Sequence, residues 1–126
     1  MAHGQITHIE FPADDLERAR RFYSGLFGWS LREMEGYSGY LLFNTGAAES
    51  GGAIGERGKA TGEQLRVYVT VESIDDVLRR VPELGGSVVQ PKDEIQGQGW
   101  FAVITDSEGT EVGLYENLRT EPLAAG

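Results

Sequence analysis

The chain has 126 residues, no cysteine, and 11 basic against 20 acidic side chains, giving a formal net charge of −9. That length supports one core and not two ordinary domains, and the missing cysteine removes disulfides, thiolate zinc sites and cysteine nucleophiles. The negative excess opposes the phosphate attraction behind binding to nucleic acid or to an anionic membrane surface.

No run approaches the roughly 20 apolar residues that span a bilayer. The start, MAHGQITHIEF, lacks the basic and apolar regions of a secretory leader. The cytoplasm is therefore the expected compartment.

In QITHIEF, Ile6, His8 and Glu10 share one face and Thr7, Ile9 and Phe11 the other, an alternation that predicts a strand, ended by Pro12. DDLERARRFYSGLFGW then sets Leu16, Ala19, Tyr23 and Leu26 at helical spacing, with Phe22 and Phe27 widening the stripe. Asp14 or Asp15 caps that helix, Asp14 with Glu17 fits a capping box, and Gly28 stops it. Three short strand-like runs follow, WSLREM, YLLFN and GGAIG.

GERGKATGE has one apolar side chain, Ala60, and reads as a flexible linker. The glycines of GAAESGGAIGERGKATG would also suit a hinge. QLRVYVTV is a strand with Val67, Val69 and Val71 on one face and Arg66, Tyr68 and Thr70 on the other. SIDDVLRRVPELGG is a helix with Ser73 as cap, Asp76 three residues on, and a stripe of Ile74, Val77, Val81 and Leu84; Pro82 bends its last turn. SVVQP, WFAVI and TEVGLYE are strand-like, and NLRTEPLAAG reads as a tail.

The two halves repeat one plan. With His8 laid against Arg66, Leu16 meets Ile74, Ala19 meets Val77, Tyr23 meets Val81, Leu26 meets Leu84 and Gly28 meets Gly86. Such a repeat means duplicated units that bury their faces together. The expected fold is α+β: one domain over 1–126 made of two tandem βαβββ modules, about 5–56 and 64–116, with a linker at 57–63 and a tail at 117–126.

Three motifs fail on context. GQGWFA spells a dinucleotide fingerprint but precedes a strand and opens no helix. GGAIGERGKA has Ala53 and Ala60 where a phosphate loop needs glycine and a hydroxyl. Ser38 and Ser50 lack the glycines of a nucleophile elbow.

The polar strand faces are more informative. His8 and Glu10 from one half, and Arg66, Tyr68 and Thr70 from the other, point away from the apolar faces. They either meet solvent, as one side of an antiparallel sheet commonly does, or line a cavity between duplicated halves.

HIEFPADDLERARRFYSGLFGW, LGGSVVQP and FAVITDSEGTEVGLYE together resemble the vicinal oxygen chelate superfamily, the glyoxalase, bleomycin-resistance and extradiol dioxygenase group. The similarity runs over residues 5 to 116. It implies paired βαβββ modules with mixed sheets curled around a central cleft, and a homodimer. In metal-dependent members, the first strand of each module and the last strands supply ligands to a divalent ion. His8 falls on the first of those positions, Arg66 on its counterpart, and Gly113 on that of the final glutamate.

A guanidinium has no lone pair to give and glycine has no side chain, while a catalytic zinc or iron site takes about three protein ligands. Glu10, or Glu111 in a shifted register, could add one carboxylate. A degenerate metal site and no resident cofactor are therefore expected, with a divalent ion on His8 as the exception.

The resemblance implies a small molecule as partner. His8, Glu10, Arg66, Tyr68, Trp100 and Tyr115 are the candidate ligand-binding residues, with Trp29, Tyr40 and Phe101 as further candidates for aromatic walls; no residue is assigned as catalytic. Two functions follow. One is binding of an organic ligand, a cationic one suiting the acidic balance and the ring faces. The other is a metal-dependent lyase, isomerase or dioxygenase in which His8 or Glu10 acts as base and Arg66 stabilises an oxyanion.

Overall fold

The computed structural model describes residues 3–47 and 51–118. Its elements are β1 (Gln5–Ala13), α1 (Leu16–Phe27), β2 (Ser30–Glu33), β3 (Tyr40–Asn44), β4 (Gly51–Glu56), β5 (Arg66–Thr70), α2 (Ile74–Arg80), a 3₁₀ turn (Pro82–Leu84), β6 (Ser87–Ile95), β7 (Gly99–Thr105) and β8 (Glu111–Asn117). They fall into two compact units, Thr7–Val67 and Met1–Ile6 with Tyr68–Gly126. The expected tail beyond residue 118, and Ser50, lie outside the described residues.

In the Thr7–Val67 unit the strands run β2-β3-β4-β1. β2 with β3 and β3 with β4 are antiparallel, and β4 with β1 is parallel. α1 lies on the face that carries Ala13, Phe43 and Ile54; Phe11, Leu16, Ala19, Tyr23, Trp29 and Leu31 pack around these. Gly28 ends the helix at φ 73° and turns the chain back. Trp29 is thereby stacked between Phe43, at 4.2 Å between ring centroids, and Tyr23, at 5.3 Å. This tryptophan is a core residue and not a wall of a site.

Several local expectations change. The helix cap is Asp15, whose side chain accepts from Arg18 N, while Asp14 instead receives the Arg57 guanidinium at 2.8 Å. β1 continues through Pro12, whose Cα pairs with that of Gly55; a strand position not called on to donate an N–H tolerates proline. Phe22, Leu26 and Phe27 of the expected buried stripe are exposed.

The described part of the glycine-rich stretch is a strand and a tied turn, not a hinge. β4 runs between β3 and β1, and a Cβ on Gly52 would lie 2.2 Å from Ile9 O. Its glycines serve the close approach of strands. The segment read as a linker is held as well: Thr61 is buried, and Arg57 donates to Glu63 O at 2.8 Å.

In the other unit the strands run β5-β8-β7-β6. β5 and β8 are parallel, β8 with β7 and β7 with β6 antiparallel. The core is Val71, Ile74, Ala102 and Leu114, with Val69, Val77, Leu78, Trp100 and Ile104 against it.

Ser73 caps α2 by accepting from Asp76 N at 3.1 Å, and Glu116 Oε1 accepts from Ile74 N at 2.8 Å. Pro82 converts the end of the helix into the 3₁₀ turn, which stops at Gly85, φ 95°. The left-handed cap is thus Gly85, one residue before the Gly86 that the repeat sets against Gly28, and Leu84 is exposed.

Candidate functional site

Alternation along β1 puts His8 and Glu10 on the face opposite Phe11 and Ala13, away from α1. Glu10 pairs with Ala53 of β4, and Ala53 with Leu42 of β3. Two residues back on β3, Tyr40 pairs with Gly55. A Cβ on Gly55 would sit 3.1 Å from Tyr40 Cδ1 and 2.4 Å from Thr61 Cγ2. Glycine there leaves room for the tyrosine ring to reach across the sheet.

The Tyr40 hydroxyl donates to Glu10 Oε2 at 2.6 Å and lies 3.0 Å from His8 Nε2. Arg66 Nη1 stands 3.7 Å from Glu10 Oε1, in an ion pair whose side chains are 13% and 8% exposed. That separation is Coulombic contact and too long for an N–H···O bond. Glu10 itself is 6% exposed, so this polar face is not a wetted one.

The protons of the chain follow from its geometry. Tyr40 has one hydroxyl proton, and it goes to Glu10. With that proton on Glu10, the His8–Tyr40 contact is a hydrogen bond in the Nε2–H tautomer of the imidazole. Burial holds the His8 pKa below its ordinary value of 6.5, because removing water disfavours imidazolium. Tyr40 thus bridges the imidazole of His8 and the carboxyl group of Glu10, beside the Arg66 guanidinium.

In the other unit, Tyr68, Thr70, Gly113 and Tyr115 share the face opposite Leu114. A Cβ on Gly113 would be 2.4 Å from Tyr68 Cδ2 and Cε2, so the Tyr68 ring lies over the strand where a side chain would rise. Tyr68 and Thr70 are buried. Tyr115 pairs with Phe101 of β7 and donates to Gln98 O at 2.9 Å; partial burial raises the pKa of its phenol.

Trp100 is on a different face. It packs with the α2 core, with Lys92 Nζ 4.8 Å from its ring centroid. GQGWFA makes the turn between β6 and β7, with Gln98 N donating to Ile95 O.

Of the six candidates, His8, Glu10 and Arg66 meet in one cluster, Tyr68 and Tyr115 share one face of the other unit, and Trp100 joins neither. The residue that organises the cluster, Tyr40, has a sequence signal: in YLLFN it alternates against Leu41 and Phe43, both buried. The glycines beneath the two tyrosines also stand out as glycines inside strand patterns.

These residues do not fit a divalent ion. Of the positions that the resemblance gives to ligands, only His8 carries a nitrogen lone pair: Arg66 has none to give, and position 113 has neither a side chain nor room for one beside Tyr68. Among the described residues, no three His, Asp or Glu side chains converge as a metal set.

Residues 5–114 match the family model of the Glyoxalase/Bleomycin resistance protein/Dioxygenase superfamily, and the chain belongs to that superfamily. CFP32 of Mycobacterium tuberculosis, a protein named as a glyoxylase, is 29% identical over 122 residues, covering 92% of this chain and 47% of its own length. The chain thus spans about half the length of the curated relatives it matches.

Among solved structures, BH1468 of Bacillus halodurans C-125 superposes with a TM-score of 0.71 at 15% identity, over 95% of this chain and 99% of that one. Methylmalonyl-CoA epimerase of M. tuberculosis gives 0.68 at 18%, over 94% and 93%. These two share the α+β fold of this chain.

Proposed function

We propose that this chain is a small-molecule-binding protein of the glyoxalase and bleomycin-resistance type, taking an organic ligand without a metal ion and acting as a homodimer. The observation that supports it most directly is the His8–Tyr40–Glu10 chain, because it arranges these side chains as oriented hydrogen-bonding groups around one tyrosine hydroxyl. The cluster is a set of oriented hydrogen-bonding groups, suited to fixing one polar end of a ligand whose remainder meets apolar and aromatic surface. Arg66 balances the Glu10 charge locally, so this face favours a neutral hydrogen-bonding ligand over the cation suggested by composition alone. Tyr68 and Tyr115 are the aromatic candidates in the other unit.

A second reading, a metal-dependent lyase, isomerase or dioxygenase using His8, is favoured by membership of a superfamily whose description includes glyoxalases and dioxygenases. One experiment separates the two. Protein purified without chelator is assayed for bound zinc, nickel, manganese and iron, and its melting temperature is followed with each ion and across a small-molecule library. The binding reading expects no stoichiometric ion, a melting temperature indifferent to all four, and a stabilising compound whose affinity falls about tenfold, roughly one hydrogen bond's worth, in Tyr40→Phe. A stoichiometric ion, or compounds indifferent to Tyr40→Phe, would replace it with the second reading.

A further inference from the structure

Within the Thr7–Val67 unit, the Glu10–Arg66 pair differs from its neighbours. The carboxylates of Glu17, paired with Arg20, and of Asp14, paired with Arg57, are 66% and 68% exposed, and ion pairs of that kind contribute little. The side chains of Glu10 and Arg66 are 8% and 13% exposed. Taking a carboxylate out of water is costly unless an opposite charge goes with it. Arg66 Nη1, 3.7 Å from Glu10 Oε1, supplies that charge, while the Tyr40 hydroxyl donates to Oε2 at 2.6 Å.

We infer that Arg66 is a built-in replacement for a divalent ion: its guanidinium is the resident positive charge that the buried carboxylate of Glu10 requires, and this one residue decides the cluster against metal. The inference rests on the metal-free reading proposed above and names the residue responsible for it.

The chemistry of the guanidinium carries the argument. It has no lone pair, so it adds a charge and withholds a ligand at once. It stays protonated over the whole working range of pH, so the charge is never released. Standing 3.7 Å from a carboxylate oxygen that an ion would use, it sets like charge beside any cation approaching Glu10.

His8 by itself does not keep an ion out. Its contact with Tyr40, and that of Tyr40 with Glu10, are two hydrogen bonds, small beside the binding of a metal by a full set of ligands. Its pKa, lowered by burial, leaves a neutral imidazole, the form that ligates. Arg66→His therefore turns a repelling charge into a third donor beside His8 and Glu10, the number that a catalytic zinc site takes from protein.

Calorimetric titration of the whole chain with zinc at about pH 7.5, where imidazole is neutral, tests this. The wild-type chain should show no saturable uptake below about 1 mM. Arg66→His should take up one zinc per chain, about a hundredfold tighter or more, and adding His8→Ala or Glu10→Gln to it should weaken that uptake about tenfold or more.

The counter-charge is read separately in urea midpoints, without metal. Arg66→Gln and Glu10→Gln should each lower the midpoint, and the double variant should lower it by much less than their sum, because it leaves no buried charge behind. Stoichiometric zinc on the wild-type chain overturns the metal-free reading and this inference together. A folded Arg66→His chain indifferent to zinc, or additive losses in the Arg66→Gln and Glu10→Gln cycle, overturns the inference alone; if Arg66→His does not fold, the cycle decides.

Discussion

His8 illustrates how neighbours set the behaviour of one side chain. Its imidazole is partly buried and its pKa lowered from 6.5, so the unfolded chain holds a proton on this residue at pH values where the folded chain does not. Stability from this source is complete above the unfolded value and declines as pH falls through it towards the folded one. Urea midpoints measured from about pH 7.5 to 5.5 should therefore decrease on acidification. In His8→Gln, which keeps a donor for Tyr40 but does not titrate, the curve should be flatter; an identical slope would remove His8 as the cause.

Gly113 makes a similar point through volume. A Cβ there collides with the buried Tyr68 ring, so Gly113→Ala should cost about 1–3 kcal/mol by overpacking. In a double-mutant cycle with Tyr68→Ala the penalty should largely vanish, whereas strictly additive losses would mean the ring does not fill that space.

At the level of elements, the strands and both helices follow from period and punctuation. α2 is the clearest case: Ser73 accepts from Asp76 N, Asp75 and Asp76 sit in the first turn and Arg79 and Arg80 in the last, each favourable to the helix dipole. Ser73→Ala should cost about 1 kcal/mol, visible as a lower melting temperature with the site geometry retained. A change of a few tenths or less would mean that Glu116, which accepts from Ile74 N, holds the helix start by itself.

Which apolar residues the helices bury was less legible. Periodicity marks Leu26 and Leu84 exactly as it marks Leu16 and Ile74, since it reports spacing, and burial depends on what the sheet covers. The faces of β7 were hidden for a related reason. Alternation separates Trp100 from Phe101, but only the Ala102–Leu114 register with β8 tells which of them meets α2.

For the whole molecule, the net charge of −9 is spread over a chain whose described ion pairs are mostly exposed, and such pairs add little each. Self-repulsion then dominates at low ionic strength. Raising salt from about 0.01 to 0.15 M, which shortens the Debye length from about 30 to 8 Å, should raise the melting temperature. A fall would indicate that the short-range pairs outweigh the net charge.

The sequence alone determined the α+β class, the succession of strands and helices, the placing of His8 and Glu10 on one strand face, and membership of the superfamily. All of these depend on neighbours within a few residues or on a pattern running along the chain. Tertiary structure decided that Tyr40 reaches over Gly55 to join His8 to Glu10, that Tyr68 lies across Gly113, and that Trp29 and Trp100 belong to the cores. Each is a contact between strands distant in sequence, and its existence depends on register and on side-chain volume at the crossing, which no local pattern encodes.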